Sequence, residues 1–306
     1  RVSDYTYGEE RLILMDAKAT YLMNQGQRAE VIDLFYELND QIIANYAEGS
    51  EDLGYYLASN YLKISESHFG FNDSLTVLYA RKTREALRPF VSKYTGMYGY
   101  AFLVEFNPLN RKASHPENEA VLNALLDSAE HFILIEKNAF YLEELYVNKS
   151  GFCLENDQYK LAEKYINMAD SLNRISGYQR ARVFILMNTS GLASVKKDYK
   201  KAIRLNKAAI LLADSIGFSN DRNEILMSLA NDSDSAGLHQ QASMYKGLYI
   251  DSLKSYYARE ITGQFTEAEA KFQTIEKDKQ IATQNLKIAE ERSNRNLALL
   301  LGAVAL

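Results

Sequence analysis

Residues 157–169 read DQYKLAEKYINMA, residues 197–209 read KDYKKAIRLNKAA and residues 237–249 read GLHQQASMYKGLY. Laid over one another at a spacing of 40 residues, they align Tyr159 with Tyr199 and His239, Ala162 with Ala202 and Ala242, and Ala169 with Ala209 and Tyr249. Asp157, Lys197 and Gly237 stand at the turn just before. Residues seven apart lie two turns along one helix face, so each stretch carries small residues where a helix must approach a neighbour closely. Self-similarity of this kind marks a repeat architecture, in which each unit is too thin to bury its own apolar side.

Working outward, each unit reads as a helix pair: 138–155 with 158–176, 178–195 with 198–217, and 221–235 with 238–256. The turns are Asn156-Asp157, Lys197-Asp198 and Ala236-Gly237. An N-terminal unit fits the scheme, with Leu14 to Asn24, a turn at Gln25-Gly26-Gln27, and Ala29 to Leu38 carrying Val31, Phe35 and Leu38 in the inward slots. Between residues 50 and 136 the repeat weakens, although Leu122, Leu126 and Ala129 sit one period before Ala162, Ile166 and Ala169. There the stretch Tyr94 to Tyr100, with Gly96 and Gly99, is expected to break the helical pattern, and Asn107 to Pro116 to form a long loop. The expected fold is all-α: a superhelical array of antiparallel helix pairs over residues 1–256.

The pattern resembles the tetratricopeptide repeat, which has a small residue in its first helix, an aromatic near the start of the second, then Ala, a bulky residue and Ala along it. That family's period is about 34 residues. The spacing of 40 here implies helices about one turn longer, or longer connections.

After Gly263 no turn residue follows and charge dominates up to Arg295, so residues 257–295 read as one long helix. Phe265, Phe272, Lys279 and Leu286 fall at one heptad seam and Ala268, Ile275, Ala282 and Ala289 at the other. A homodimer through the 264–292 helix is one expectation; a single charged helix lying on the last repeat is the other. Residues 297–306 hold only Leu, Ala, Gly and Val. A membrane span takes about 20 apolar residues, so residues 296–306 read as the start of one.

The run Phe265 to Ile281, then Leu286 to Arg295 and the apolar tail, resembles the juxtamembrane region of the tetratricopeptide-repeat sensors common in Bacteroidetes. That resemblance implies a ligand-binding array on the periplasmic side of the inner membrane, held by a single span. It also implies a histidine kinase or DNA-binding output beyond Leu306. The rival expectation is a free cytoplasmic adaptor that assembles other proteins.

Composition narrows the chemistry. With 47% hydrophobic and 25% charged residues the chain is no disordered segment, and a net charge of -5 provides no overall basic field for nucleic acid. Cys153 stands alone and reads as a small buried hydrophobe between helices. The 4 histidines lie far apart, and no HExxH, CxxC, GxSxG or GxxxxGK[ST] string occurs, so no enzyme activity, metal or cofactor is expected. Asn231 to Gly237 begins like a calcium loop but has Ala236 and Ser243 where further oxygen ligands belong, and reads as a solvated turn. Lys196 to Lys207 holds six basic residues around a helix start, either an anion site or a solvated face.

The resemblance places the first helix of each pair on the concave, ligand-facing surface. Asn148 and Asn188 occupy equivalent places there, Ser228 follows at the same spacing, and Asn231 lies a turn further on. These four are the candidate contacts for a protein or peptide, or for a glycan met by some of the 22 tyrosines. Val147, Met187 and Met227 stand where a carboxylate clamp would want a basic residue. The bland alternative has the asparagines satisfying one another or water between helices.

Overall fold

The computed structural model describes residues 14–15, 17–19, 28–70, 72–112, 119–218, 222–255 and 257–258. It contains α1 (Arg28–Asn45), α2 (Glu51–His68), α3 (Asp73–Leu87) with a short 3-10 turn at Arg88–Phe90, α4 (Thr95–Lys112) and α5 (Glu119–Glu136). Then come α6 (Ala139–Glu155), α7 (Tyr159–Ser176), α8 (Gln179–Val195), α9 (Tyr199–Ser215) and α10 (Arg222–Ser235). Residues 239–255 are helical again and are called α11. No strand occurs among the described residues. The chain divides into a unit up to Ser252 and a second from Leu253, of which 253–255 and 257–258 are described. The expected turn at 25–27, the heptad helix and the apolar tail lie outside the described residues. No helix among the described residues is long and apolar enough to cross a membrane.

Consecutive helices pack as antiparallel pairs, α2 on α3, α4 on α5, α6 on α7 and α8 on α9, while α4, α6 and α8 also touch one another in a row. The periodic residues explain why. Ala129, Ala169 and Ala209 are fully buried one period apart, as are Ala162, Ala202 and Ala242, so the second helices approach their partners without a side chain in the way. Leu145, Ile185 and Ile225, buried one period apart on the first helices, fill the core instead; cutting one back to Ala would cost about 2–5 kcal/mol. The apolar interior falls into three clusters along the chain, around Phe35, around Leu103 and Ile133, and around Ile225 and Leu229. A linear series of cores is what a stack of nearest-neighbour units must have.

The first helices of three successive pairs end with the same device. Asp157, Lys197 and Gly237, at the turns inside three successive pairs, have φ of 58°, 61° and 75°. Gln158 N–H donates to the Cys153 carbonyl at 2.8 Å, Asp198 N–H to Ala193 at 2.9 Å and Leu238 N–H to Ser233 at 2.8 Å, which satisfies carbonyls the helix leaves open. Some starts are capped by side chains: Asn138 accepts from Phe140 N–H at 2.9 Å and Asp198 from Lys201 N–H at 3.2 Å.

Three expectations need correction. Tyr94 to Tyr100 does not interrupt a helix: α4 begins at Thr95 and runs on through both glycines. They are there for packing, since a Cβ on Gly99 would stand 2.8 Å from Ile133 Cγ1 and 3.0 Å from the Ala129 carbonyl of α5. Asn107 to Lys112 is helix rather than loop, with Pro108 accommodated inside α4. Asn231 to Ser235 belongs to α10 and is no solvated turn; Asp232 is buried and accepts from Ser194 of α8 and, at 3.4 Å, from Asn206 of α9.

Candidate functional site: a groove across the first helices

The row α4, α6 and α8 presents one face each to a groove of about 470 Å³. Helical spacing selects the lining: Asn107 and Arg111 on α4; Glu144, Asn148, Gly151 and Glu155 on α6; Arg180, Phe184, Met187 and Asn188 on α8. Glu224 of α10 and Phe69, just after α2, complete the walls. Gly151 keeps the floor open, because a Cβ there would meet nothing nearer than the Asn188 amide at 3.7 Å.

Two of the four predicted contacts meet here. Asn148 donates to the Glu144 carbonyl of its own helix at 2.8 Å. Asn188 reaches across to α6, donating to the Val147 carbonyl at 3.1 Å and the Ser150 hydroxyl at 2.7 Å. The asparagines thus bond backbone and hydroxyl, not each other, and no acceptor bond to the Asn188 Oδ1 forms among the described residues. Ser228 and Asn231 are exposed on α10 and do not line the groove.

Sequence reading missed Asn107 and Asn110, because Pro108 and the following residues suggested a loop. Carried back one unit from Asn148 the 40-residue period reaches Pro108, so Asn107 stands one residue off the register of Asn148 and Asn188 and the repeat does not mark it. Asn110 Nδ2 donates to Glu155 at 2.8 Å, while Asn107 keeps its amide free of partners among the described residues. Burial holds the Glu155 carboxyl above its usual range against the pull of that Asn110 bond.

Charge is unevenly placed in the groove. Arg111 lies on the Phe69 ring at 4.3 Å and Arg180 over the Phe218 ring at 5.1 Å, so each guanidinium rests on a π-face. Neither closes a salt bridge with a described residue. Burial works against the Arg180 charge, but the field of Glu66, Tyr100, Glu144 and Tyr178 outweighs it and raises its pKa. Burial lifts Glu144 to about 7, with Arg180 opposing and Glu66 and Glu143 adding to the rise. Tyr178 is pushed to about 12, first by burial, with Arg180 opposing and Glu144 and Glu66 adding.

The other candidates have structural places. Cys153 is buried, its thiol 3.7 Å from Gln158 Oε1, and burial raises its pKa, which makes it a packing residue. In the basic stretch, Lys196 pairs with Glu163 at 2.8 Å and Asp198 caps α9, while Lys200, Lys201, Arg204 and Lys207 form an exposed face. Several tyrosines are core material, as where the Tyr100 and Tyr141 rings meet at 5.4 Å.

Stacked antiparallel pairs with their first helices in a row define a helical-repeat fold of the tetratricopeptide type. Among solved structures it is similar to a Rap protein complexed with Competence and Sporulation Factor, with a TM-score of 0.63, 15% sequence identity, and coverage of 84% of this chain and 78% of that one. No family model matches the sequence, and no curated protein matches it.

Proposed function

We propose that the groove across α4, α6 and α8 binds an extended peptide, free or as a segment of a partner protein. The observation that carries this reading is the set of amides, Asn107, Asn148 and Asn188, set one per successive first helix along a single cavity. Asn107 offers both donor and acceptor, Asn148 one N–H and its oxygen, and Asn188 its oxygen, so together they can meet the alternating N–H and C=O of an extended backbone. A volume of about 470 Å³ suits a few residues of peptide. Glu144, Glu155 and Glu224 against Arg111 and Arg180 disfavour a polyanion such as nucleic acid. The likeness to a Rap protein solved with a bound factor supports a ligand in such a fold.

The test is fluorescence polarisation of a labelled random pentapeptide pool on the full chain. The pool should bind, and Asn107→Ala combined with Asn188→Ala should weaken it about tenfold or more. Absence of binding, or binding indifferent to both changes, overturns the reading.

The role of that binding is proposed to be sensing: occupancy favours one curvature of the repeat stack, and the helix read from residues 257–295 passes the change to a membrane-anchored output. Its support is the heptad pattern and the apolar run of residues 297–306. Alkaline phosphatase and green fluorescent protein fused in turn after residue 263 decide location. An active phosphatase with a dark fluorescent fusion supports the periplasmic sensor; the reverse favours the cytoplasmic adaptor.

A further inference from the structure

Around Glu144 the charges do not balance. Its carboxyl feels Glu66 from α2, Glu143 from its own helix and Arg180 from α8. Tyr100 of α4 and Tyr178 ahead of α8 share the same field. Glu143 is already committed, accepting from Asn173 Nδ2 at 2.5 Å and from Ser176 Oγ at 2.7 Å. Glu66 accepts from the Tyr100 hydroxyl at 2.7 Å. Glu144 is different: it lines the groove, and its carboxyl takes no hydrogen bond or ion pair from a described residue.

One guanidinium therefore serves two carboxyl groups, Glu66 and the half-buried, groove-lining Glu144. Unpaired charge is costly there, and the chain meets the cost by tending to keep a proton on Glu144, whose pKa stands at about 7. An arriving cation would do what that proton does. A ligand carboxylate would not be welcome, because Arg180 already answers to Glu66 and Glu144. Arg111, by contrast, has no acidic partner among the described residues.

We propose that Glu144 is the seat for a positively charged side chain of the bound peptide, a lysine or an arginine; this rests on the groove being the ligand site. Binding of that group expels the proton from Glu144 and forms an ion pair within the groove.

Two labelled pentapeptide pools test it on the full chain, both acetylated and amidated and randomised over uncharged residues. One position, taken in turn, is lysine in the first pool and norleucine in the second. At about pH 7.5 the best lysine pool should bind about tenfold tighter than its norleucine counterpart. Glu144→Gln should bring the two to parity while still binding norleucine. Without any substitution, calorimetry in buffers of different ionisation enthalpy should show the lysine pool releasing about half a proton at pH 7 and the norleucine pool none. Equal affinities with no proton release leave the groove standing and overturn the Glu144 seat. Failure of both pools to bind overturns the seat and the groove together.

Discussion

Asp157 and Lys197, one 40-residue period apart, hold the same left-handed backbone conformation, with φ of 58° and 61°. Gly237 takes it in the next unit, and Lys137, Gly177 and Gly217 take it at the turns between units. A left-handed residue thus recurs at every half-period from 137 to 237, and it is what folds each helix back on the one before.

A side chain in that conformation costs about 1–2 kcal/mol. Lys197→Gly should therefore stabilise the array by about 1 kcal/mol after the entropy of the unfolded chain is allowed for. Asp157→Gly should do less, since Asp tolerates the region better. Gly177→Ala, at φ 65°, should destabilise by about 1 kcal/mol. Urea denaturation of the three variants measures all of these.

Glycines in helices have two opposite roles here. Gly99→Ala should cost about 1–3 kcal/mol, because its methyl would press on Ile133 and on backbone at Ala129 that cannot swing away. Gly247→Ala meets nothing within 4 Å and should add about 1 kcal/mol of helix propensity. Thermal midpoints that moved in the same direction for both would contradict this account.

The Glu144 carboxyl, raised by burial from 4.5 to about 7, makes stability depend on pH. Its contribution is present in full below about pH 4.5 and is lost as pH rises through about 7, since the folded state holds the proton longer than the unfolded chain. Between about pH 5 and 8 the wild type should lose roughly 2 kcal/mol relative to Glu144→Gln, partial exposure reducing the full effect. Parallel melting profiles for the two proteins would argue against a proton at this site.

Glu143 is fully buried and depends on Asn173 and Ser176 of α7 for its bonds. Asn173→Ala should cost about 2–3 kcal/mol by leaving a buried carboxylate short of a donor, and it also removes the bond to the Tyr178 carbonyl. Glu143→Gln with Asn173 intact should cost less. A double-mutant cycle in urea reads the coupling between them.

The helix pairs from α6 to α11 were legible in the sequence to within a residue or two, because Ala162, Ala202 and Ala242 repeat a packing need and Asp157, Lys197 and Gly237 repeat a turn. Farther towards the N-terminus the same reading failed at Gly96 and Gly99. Glycine signals a break when judged locally, and that it admits α5 is visible only once α5 is in place. Pro108 misled for the same reason: its cost is local, and its accommodation within α4 is tertiary. The outward-facing Ser228 kept the register of Asn148 and Asn188 but not their surroundings, and Asn231, a turn further on, also faces outward.

By itself the amino-acid order determined the array of helical hairpins, since periodic small residues and turn formers act over one or two helical turns and need no distant partner to be recognised. The groove was decided by the tertiary structure alone. Asn107, Glu144 and Arg180 come from three helices, and Glu66 from a fourth; the fields and desolvation that give Glu144 its proton depend on separation in space, which no spacing along the chain records.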